Sequence, residues 1–176
     1  MRIISGKHKG RVLKSFKGDD IRPTSDRAKE ALFNILGSKV YNAKFLDLFS
    51  GTGSMGIEAI SRGAEKVIFV DGSKDSVNLI KGNLALVKED ATVILGYAES
   101  FLNSVNGKFD IIFLDPPYNY RDADGLFKII KNRNLLNEGG IIVYEHNADY
   151  TFETENFEIY DNRKYGIAVF DFLRSF

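Results

Sequence analysis

Between residues 45 and 145 the sequence alternates strand-length apolar runs with amphipathic stretches, and this rhythm constrains the fold more than any other feature. Residues 45–49, 66–70, 92–95, 109–114 and 140–145 read as strands. Between them, residues 56–62, 74–87, 99–104 and 124–133 read as helices; in the second, Val77, Ile80, Leu84 and Val87 recur at helical spacing. Strands joined through helices pair in parallel, and solid apolar runs such as 111–114 belong to a sheet covered on both faces. Residues 157–160 and 167–173 have no helix between them and predict an antiparallel pair closing one sheet edge.

The N-terminal part differs. Residues 2–5 and 11–14 flank a turn containing Gly6 and Gly10 and predict a short hairpin. After Pro23, the run Thr24-Ser25-Asp26 is a capping signal, and Ala28, Ala31, Leu32, Ile35 and Leu36 form one helical face ending near Gly37. A length of 176 residues suits one domain, 1–176, with 1–40 as a basic extension within it. Net charge is zero, yet residues 1–17 hold six Lys or Arg and no acid, while 145–161 hold six acids and no Lys or Arg. The first run suggests a polyanion-binding arm with Lys7, Lys9 and Arg11 at its turn; the second reads as a solvated face. His8 reads as a solvated loop residue.

The absence of Cys excludes disulfides, zinc thiolates and a Cys nucleophile, and the two His have no metal-ligand spacing, so no metal is expected. Apolar runs are too short for a membrane span, and the first residues lack the apolar core of a signal peptide. A cytoplasmic protein is expected.

Gly51-Thr52-Gly53-Ser54-Met55-Gly56 fits G-x-G-x-x-G between the first strand and its helix, and Asp71 follows 20 residues after Gly51. Glycines let backbone approach a ligand, and the carboxylate suits two ribose hydroxyls. NAD and S-adenosylmethionine both carry an adenosine. Asp47, near the end of the strand, suits the cationic end of S-adenosylmethionine better than a pyrophosphate. The fourth strand ends in Asp115-Pro116-Pro117-Tyr118, and two of the chain's three prolines stiffen this one turn. The Asp115 carboxylate and the Pro116 carbonyl match the two hydrogens of an exocyclic amine, and Tyr118 can stack on the base carrying it. Such acceptors free the nitrogen lone pair for attack on a methyl donor.

Together these motifs resemble a class I S-adenosylmethionine-dependent methyltransferase. With residues 2–6, 10–11, 22–27 and 29–36, the chain resembles the bacterial 16S ribosomal RNA guanine-N2 methyltransferase family over nearly its whole length. The resemblance implies an α/β, Rossmann-like sheet of seven mostly parallel strands, the last antiparallel, with a small N-terminal hairpin and helix that help hold RNA. It implies methylation of a 16S ribosomal RNA guanine in an assembled or partly assembled small subunit, with S-adenosylhomocysteine as product; a monomer is expected. Carried over by position, Asp47, Gly51, Gly53, Asp71 and Glu99 contact the cofactor, with Arg22 and Thr24 near its methionine end. Gly72-Ser73 departs from the family, where bulkier residues often pack on the adenine. The Asp115 turn by itself is compatible with guanine N2 or adenine N6, which keeps a DNA adenine-N6 methyltransferase as the alternative. A nicotinamide oxidoreductase leaves residues 115–118 unexplained.

Overall fold

A computed structural model describes residues 1–16, 25–117, 120, 122–154 and 157–176. The strands are β1 (Lys44–Leu48), β2 (Lys66–Asp71), β3 (Thr92–Leu95), β4 (Phe109–Leu114), β5 (Leu136–Asn147), β6 (Phe157–Tyr165) and β7 (Ala168–Ser175). The helices are α1 (Asp26–Leu36), α2 (Ser54–Ser61), α3 (Lys74–Val87), α4 (Ala98–Ser104) and α5 (Ala123–Asn132). The sheet runs β3-β2-β1-β4-β5-β7-β6. Neighbours among β1 to β5 pair in parallel, and β7 is antiparallel to both β5 and β6. The fold is the expected α/β, Rossmann-like one.

Side-chain alternation explains the two core layers. Phe45, Ile111, Phe113 and Val143 point to one face and pack under α1, α2 and α3, where Leu32, Phe33, Ile57, Ile80 and Leu84 meet them. Leu46, Ile112, Leu114 and Tyr144 point to the other and meet Leu102, Leu126, Phe127 and Ile130 of α4 and α5. The antiparallel pair forms as expected, but β7 inserts beside β5 and leaves β6 at the edge. Val169 to Leu173 are all buried, whereas only Phe157 of the described β6 side chains is. The more apolar strand therefore takes the interior place.

The N-terminal hairpin is looser than two strands. Its ladder is a single bridge, Arg2 to Val12. The backbone N–H groups of Ile4 and Ser5 donate instead to the Glu58 carboxylate of α2, at 2.8 and 3.0 Å, and Lys7 N–H donates to Ser61 O at 2.9 Å. Glu58 is fully buried, bonded to Arg62 at 2.7 Å and 3.7 Å from the buried Lys29 ammonium, which donates to Arg2 O at 2.7 Å. The hairpin thus divides its donors: Ile3, Gly10 and Leu13 N–H pair across it, while Ile4, Ser5 and Lys7 N–H tie it to α2. Helix α1 starts where the capping signal placed it, with Ser25 Oγ accepting from Ala28 N–H at 3.1 Å.

Candidate active site

The strand order reverses between β1 and β4, and ligands of open α/β sheets bind at the carboxyl ends of strands beside such a reversal. A cavity of about 710 Å³ opens there. Its walls come from the glycine loop after β1, the end of β2, the start of α4 and the turn after β4.

The glycine loop turns sharply at Phe49, Gly51 and Gly53, all at positive φ. A β-carbon on Gly56 would stand 2.2 Å from the Phe69 ring, so this third glycine lets α2 press onto β2. Asp71 lies on the cavity wall and holds the loop: it accepts from Gly51 N–H at 2.8 Å and from Ser73 N–H at 2.8 Å. Asp47 sits lower. It is 1 % exposed, accepts from Gly56 N–H at 2.9 Å and caps the start of α2 beneath the loop. Burial pushes its carboxyl well above the usual range; the Gly56 bond opposes this and the Asp71 charge adds to it. Gly51 reaches the cavity surface, whereas Gly53 packs on Ile80, with 3.0 Å to a β-carbon built there.

Glu99 stands in the first turn of α4 and accepts a hydrogen bond from the Tyr120 hydroxyl at 2.5 Å. Tyr120 also meets the edge of Phe49 at 5.3 Å between centroids. Burial, followed by the Glu99 contact, raises the Tyr120 hydroxyl above its ordinary value. Tyr97 is 73 % exposed and lies against Gly72.

Asp115 follows β4 and is half-buried, with Pro116 and Pro117 beside it on the wall. The β4–β5 register ends with Leu114 opposite Tyr144, so the next residues, Asp115 and Glu145, are neighbours. Burial first, then the charges of Glu145 and Asp47, raise the Asp115 carboxyl well above the usual range. Such a group can hold a proton released beside it. Arg22, Thr24 and Tyr118 lie outside the described residues.

The basic residues lie away from this cavity and are unevenly available. Lys7 pairs with Glu89 at 2.7 Å, and Arg11 donates to Leu86 O at 3.2 Å, both at the end of α3. Lys9 is exposed and lines a groove with Arg2 and Arg27. His8 is a correction: it is half-buried, with Nε2 at 2.5 Å from Glu89, because the turn folds down onto α3. Glu145 is a second correction. It belongs to the acidic run expected to be solvated, yet it is buried on the cavity wall because β5 lies inside the sheet, paired to β4 on one side and β7 on the other. The sequence reading also missed Phe49, Tyr97 and Tyr120. An aromatic residue just past a strand end or motif was the available signal for each. Among the described residues, there is no group of three or more acids or His that could hold a metal, and no helix is long and apolar enough to cross a membrane.

Comparison with known proteins agrees with this architecture. The family model described as conserved hypothetical protein 95 matches residues 1–174. YlbH of Bacillus subtilis is 41 % identical over 154 residues, covering 85 % of this chain and 84 % of its own. Ribosomal RNA small subunit methyltransferase D of Haemophilus influenzae is 36 % identical over 176 residues, covering 97 % and 91 %. The solved structure of yhhF from Escherichia coli superposes with a TM-score of 0.88 at 29 % identity, over 99 % of this chain and 97 % of that one. With a match across nearly its whole length, the chain belongs to the conserved hypothetical protein 95 family, that of the ribosomal RNA small subunit methyltransferase D proteins.

Proposed function

We propose that this protein methylates the exocyclic N2 amine of a guanine in 16S ribosomal RNA, using S-adenosylmethionine. The observation that carries the reading is Asp115, held by two prolines at the strand reversal and facing the same cavity as Asp71 and Glu99. The family relatives named as ribosomal RNA small subunit methyltransferases support the RNA substrate.

The cavity residues fit the cofactor. Its volume lies within the range of small-molecule sites. Asp71 and Gly51 would hold the ribose side, Glu99 the adenine amine, and Asp47 would act from beneath by fixing the loop. Gly53 shapes that loop, and Arg22 and Thr24 are proposed for the methionine end. Bound S-adenosylmethionine supplies a methyl group on a positively charged sulfur and leaves as S-adenosylhomocysteine. Asp115 and the Pro116 carbonyl accept the two amine hydrogens, with Pro117 stiffening the turn and Tyr118 stacking on the base. As the amine becomes methylated it sheds one proton, which the Asp115 carboxylate takes up. Lys7, Lys9 and Arg11 would meet RNA phosphates. The substrate we infer is an assembled or partly assembled small subunit, met in the cytoplasm by a monomer of one domain.

The test is nucleoside mass spectrometry of small-subunit RNA after incubation with the protein and labelled S-adenosylmethionine. Labelled N2-methylguanine is expected. Labelled N6-methyladenine in duplex DNA, with none in the RNA, would overturn the reading.

A further inference from the structure

The two carboxylates at the ends of β4 and β5 form a pair whose second member has no role in the chemistry above. Asp115 and Glu145 are the residues just past the Leu114–Tyr144 register pair. Phe113 and Val143, two positions earlier, share one core layer, so by alternation both acids leave the sheet on that same face. Both contribute to the cavity wall. Glu145 is only 6 % exposed, and the strand that carries it is paired on both sides, to β4 and to β7. Its backbone is therefore rigid, as a site residue requires.

A guanine presenting its N2 amine to Asp115 also presents its N1–H, the neighbouring donor on the same edge. Adenine has a lone pair at its N1 instead. We propose that Glu145 accepts the N1–H of the target guanine and so makes the site selective for guanine over any base with an unprotonated N1. This inference rests on the guanine-N2 reading and specifies which residue enforces it. A carboxylate offers about four acceptor positions, so Glu145 can take this hydrogen while keeping its contacts within the protein. Its charge is the largest charge effect on Asp115. A guanine edge supplies two adjacent donors, one for each acid. A base with a lone pair facing Glu145 sets acceptor against acceptor in a buried site, the arrangement by which enzymes reject analogues most strongly.

The experiment compares two substrates after the methylated position has been mapped. One is the small-subunit RNA with guanine there, and the other carries 2-aminopurine, which keeps the N2 amine but has a bare N1. Wild type is expected to favour guanine by about 10²-fold or more in kcat/KM. Glu145→Gln carries both a donor and an acceptor, so the preference should shrink by about tenfold or more, with affinity for S-adenosylhomocysteine unchanged in calorimetry. Both proteins lose the same O6 contact with 2-aminopurine, so the change in ratio reports N1 alone. If wild type makes no N2-methylguanine, the functional reading itself fails. If wild type makes it but Glu145→Gln keeps the wild-type ratio, the functional reading stands and the role of Glu145 is overturned. Should Glu145→Gln not fold, Glu145→Asp keeps the charge but withdraws it by one methylene. Its guanine kcat/KM and its preference should both fall, and no change in either overturns the proposal.

Discussion

The ring of Tyr97 lies against Gly72, with Cε1 standing 3.3 Å from where a β-carbon on the glycine would be. Residue 72 follows Asp71 at the end of β2 and, as glycine, has no side-chain surface of its own. Here the aromatic surface comes from the loop after β3, and the glycine makes room for it. The ring is exposed on the cavity wall, where it would stack on the adenine of the proposed cofactor. Tyr97→Ala should weaken S-adenosylhomocysteine binding by about 1–3 kcal/mol, the usual worth of base–aromatic stacking. Tyr97→Phe should bind like wild type. Calorimetry on the three proteins measures this, and equal affinities would remove Tyr97 from the site.

Asp71 has two tasks, since its oxygens hold the glycine loop while its carboxylate faces the cavity. Asp71→Ala should reduce cofactor affinity by about 1.5–3 kcal/mol, as for lost hydrogen bonds to a charged group. It should also lower Tm, because the Gly51 and Ser73 N–H groups lose their acceptor. Calorimetric titration and a thermal melt report the two effects separately.

Asp115 should show the opposite stability effect. Its carboxyl is raised by burial, Glu145 and Asp47, so the folded state holds this proton more tightly than the unfolded state. Its stabilising contribution is full below the unfolded value of 3.8 and is lost as pH rises through the raised folded value. At pH 8, far above 3.8, the unfolded chain gains more from ionising this carboxyl than the folded state does, so Asp115 costs stability. Asp115→Asn should gain on the order of 1 kcal/mol there, about 2–4 °C in Tm, with a smaller gain at pH 5. Turnover should fall by about 10² or more, and cofactor affinity should hold. Melts at both pH values and a single-turnover assay test this.

For the basic turn the structure separates the three cations. Lys9 faces solvent, while Lys7 and Arg11 are engaged at α3. Lys9→Ala should lower the slope of log RNA affinity against log salt by about 0.7–0.9, one phosphate contact. The triple Ala variant should lower it by about two to three units only if RNA draws Lys7 and Arg11 away from Glu89 and Leu86. Burial raises Glu89, but the Lys7 and His8 contacts outweigh this and leave it below the usual range. That contribution to docking is present above the ordinary carboxylate range and lost as pH falls through the lowered value. Filter-binding salt titrations of each variant supply the slopes.

Glu58 is the stability test. Removing it strands the buried Lys29 ammonium and frees the Ile4 and Ser5 N–H groups. Glu58→Ala should cost about 3–5 kcal/mol, and the hairpin amides should lose protection in hydrogen exchange. Glu58→Gln, which still offers a carbonyl, should cost less.

The alternation of apolar runs determined the five parallel strands and their helices. The reason is local: period and caps such as Ser25 act within a few residues. The glycine spacing, Asp71 and the turn at Asp115 were equally legible, because each is a short segment whose chemistry is carried by its own residues. Only the tertiary structure decided that Asp47 works beneath the loop, that Tyr97 covers Gly72, and that Glu145 leaves the solvated run to stand beside Asp115. These relations join residues 9 to 30 positions apart in sequence. They depend on which strands became neighbours, above all on β7 pairing with β5, and the free energy that chose those pairings was spread over the whole core.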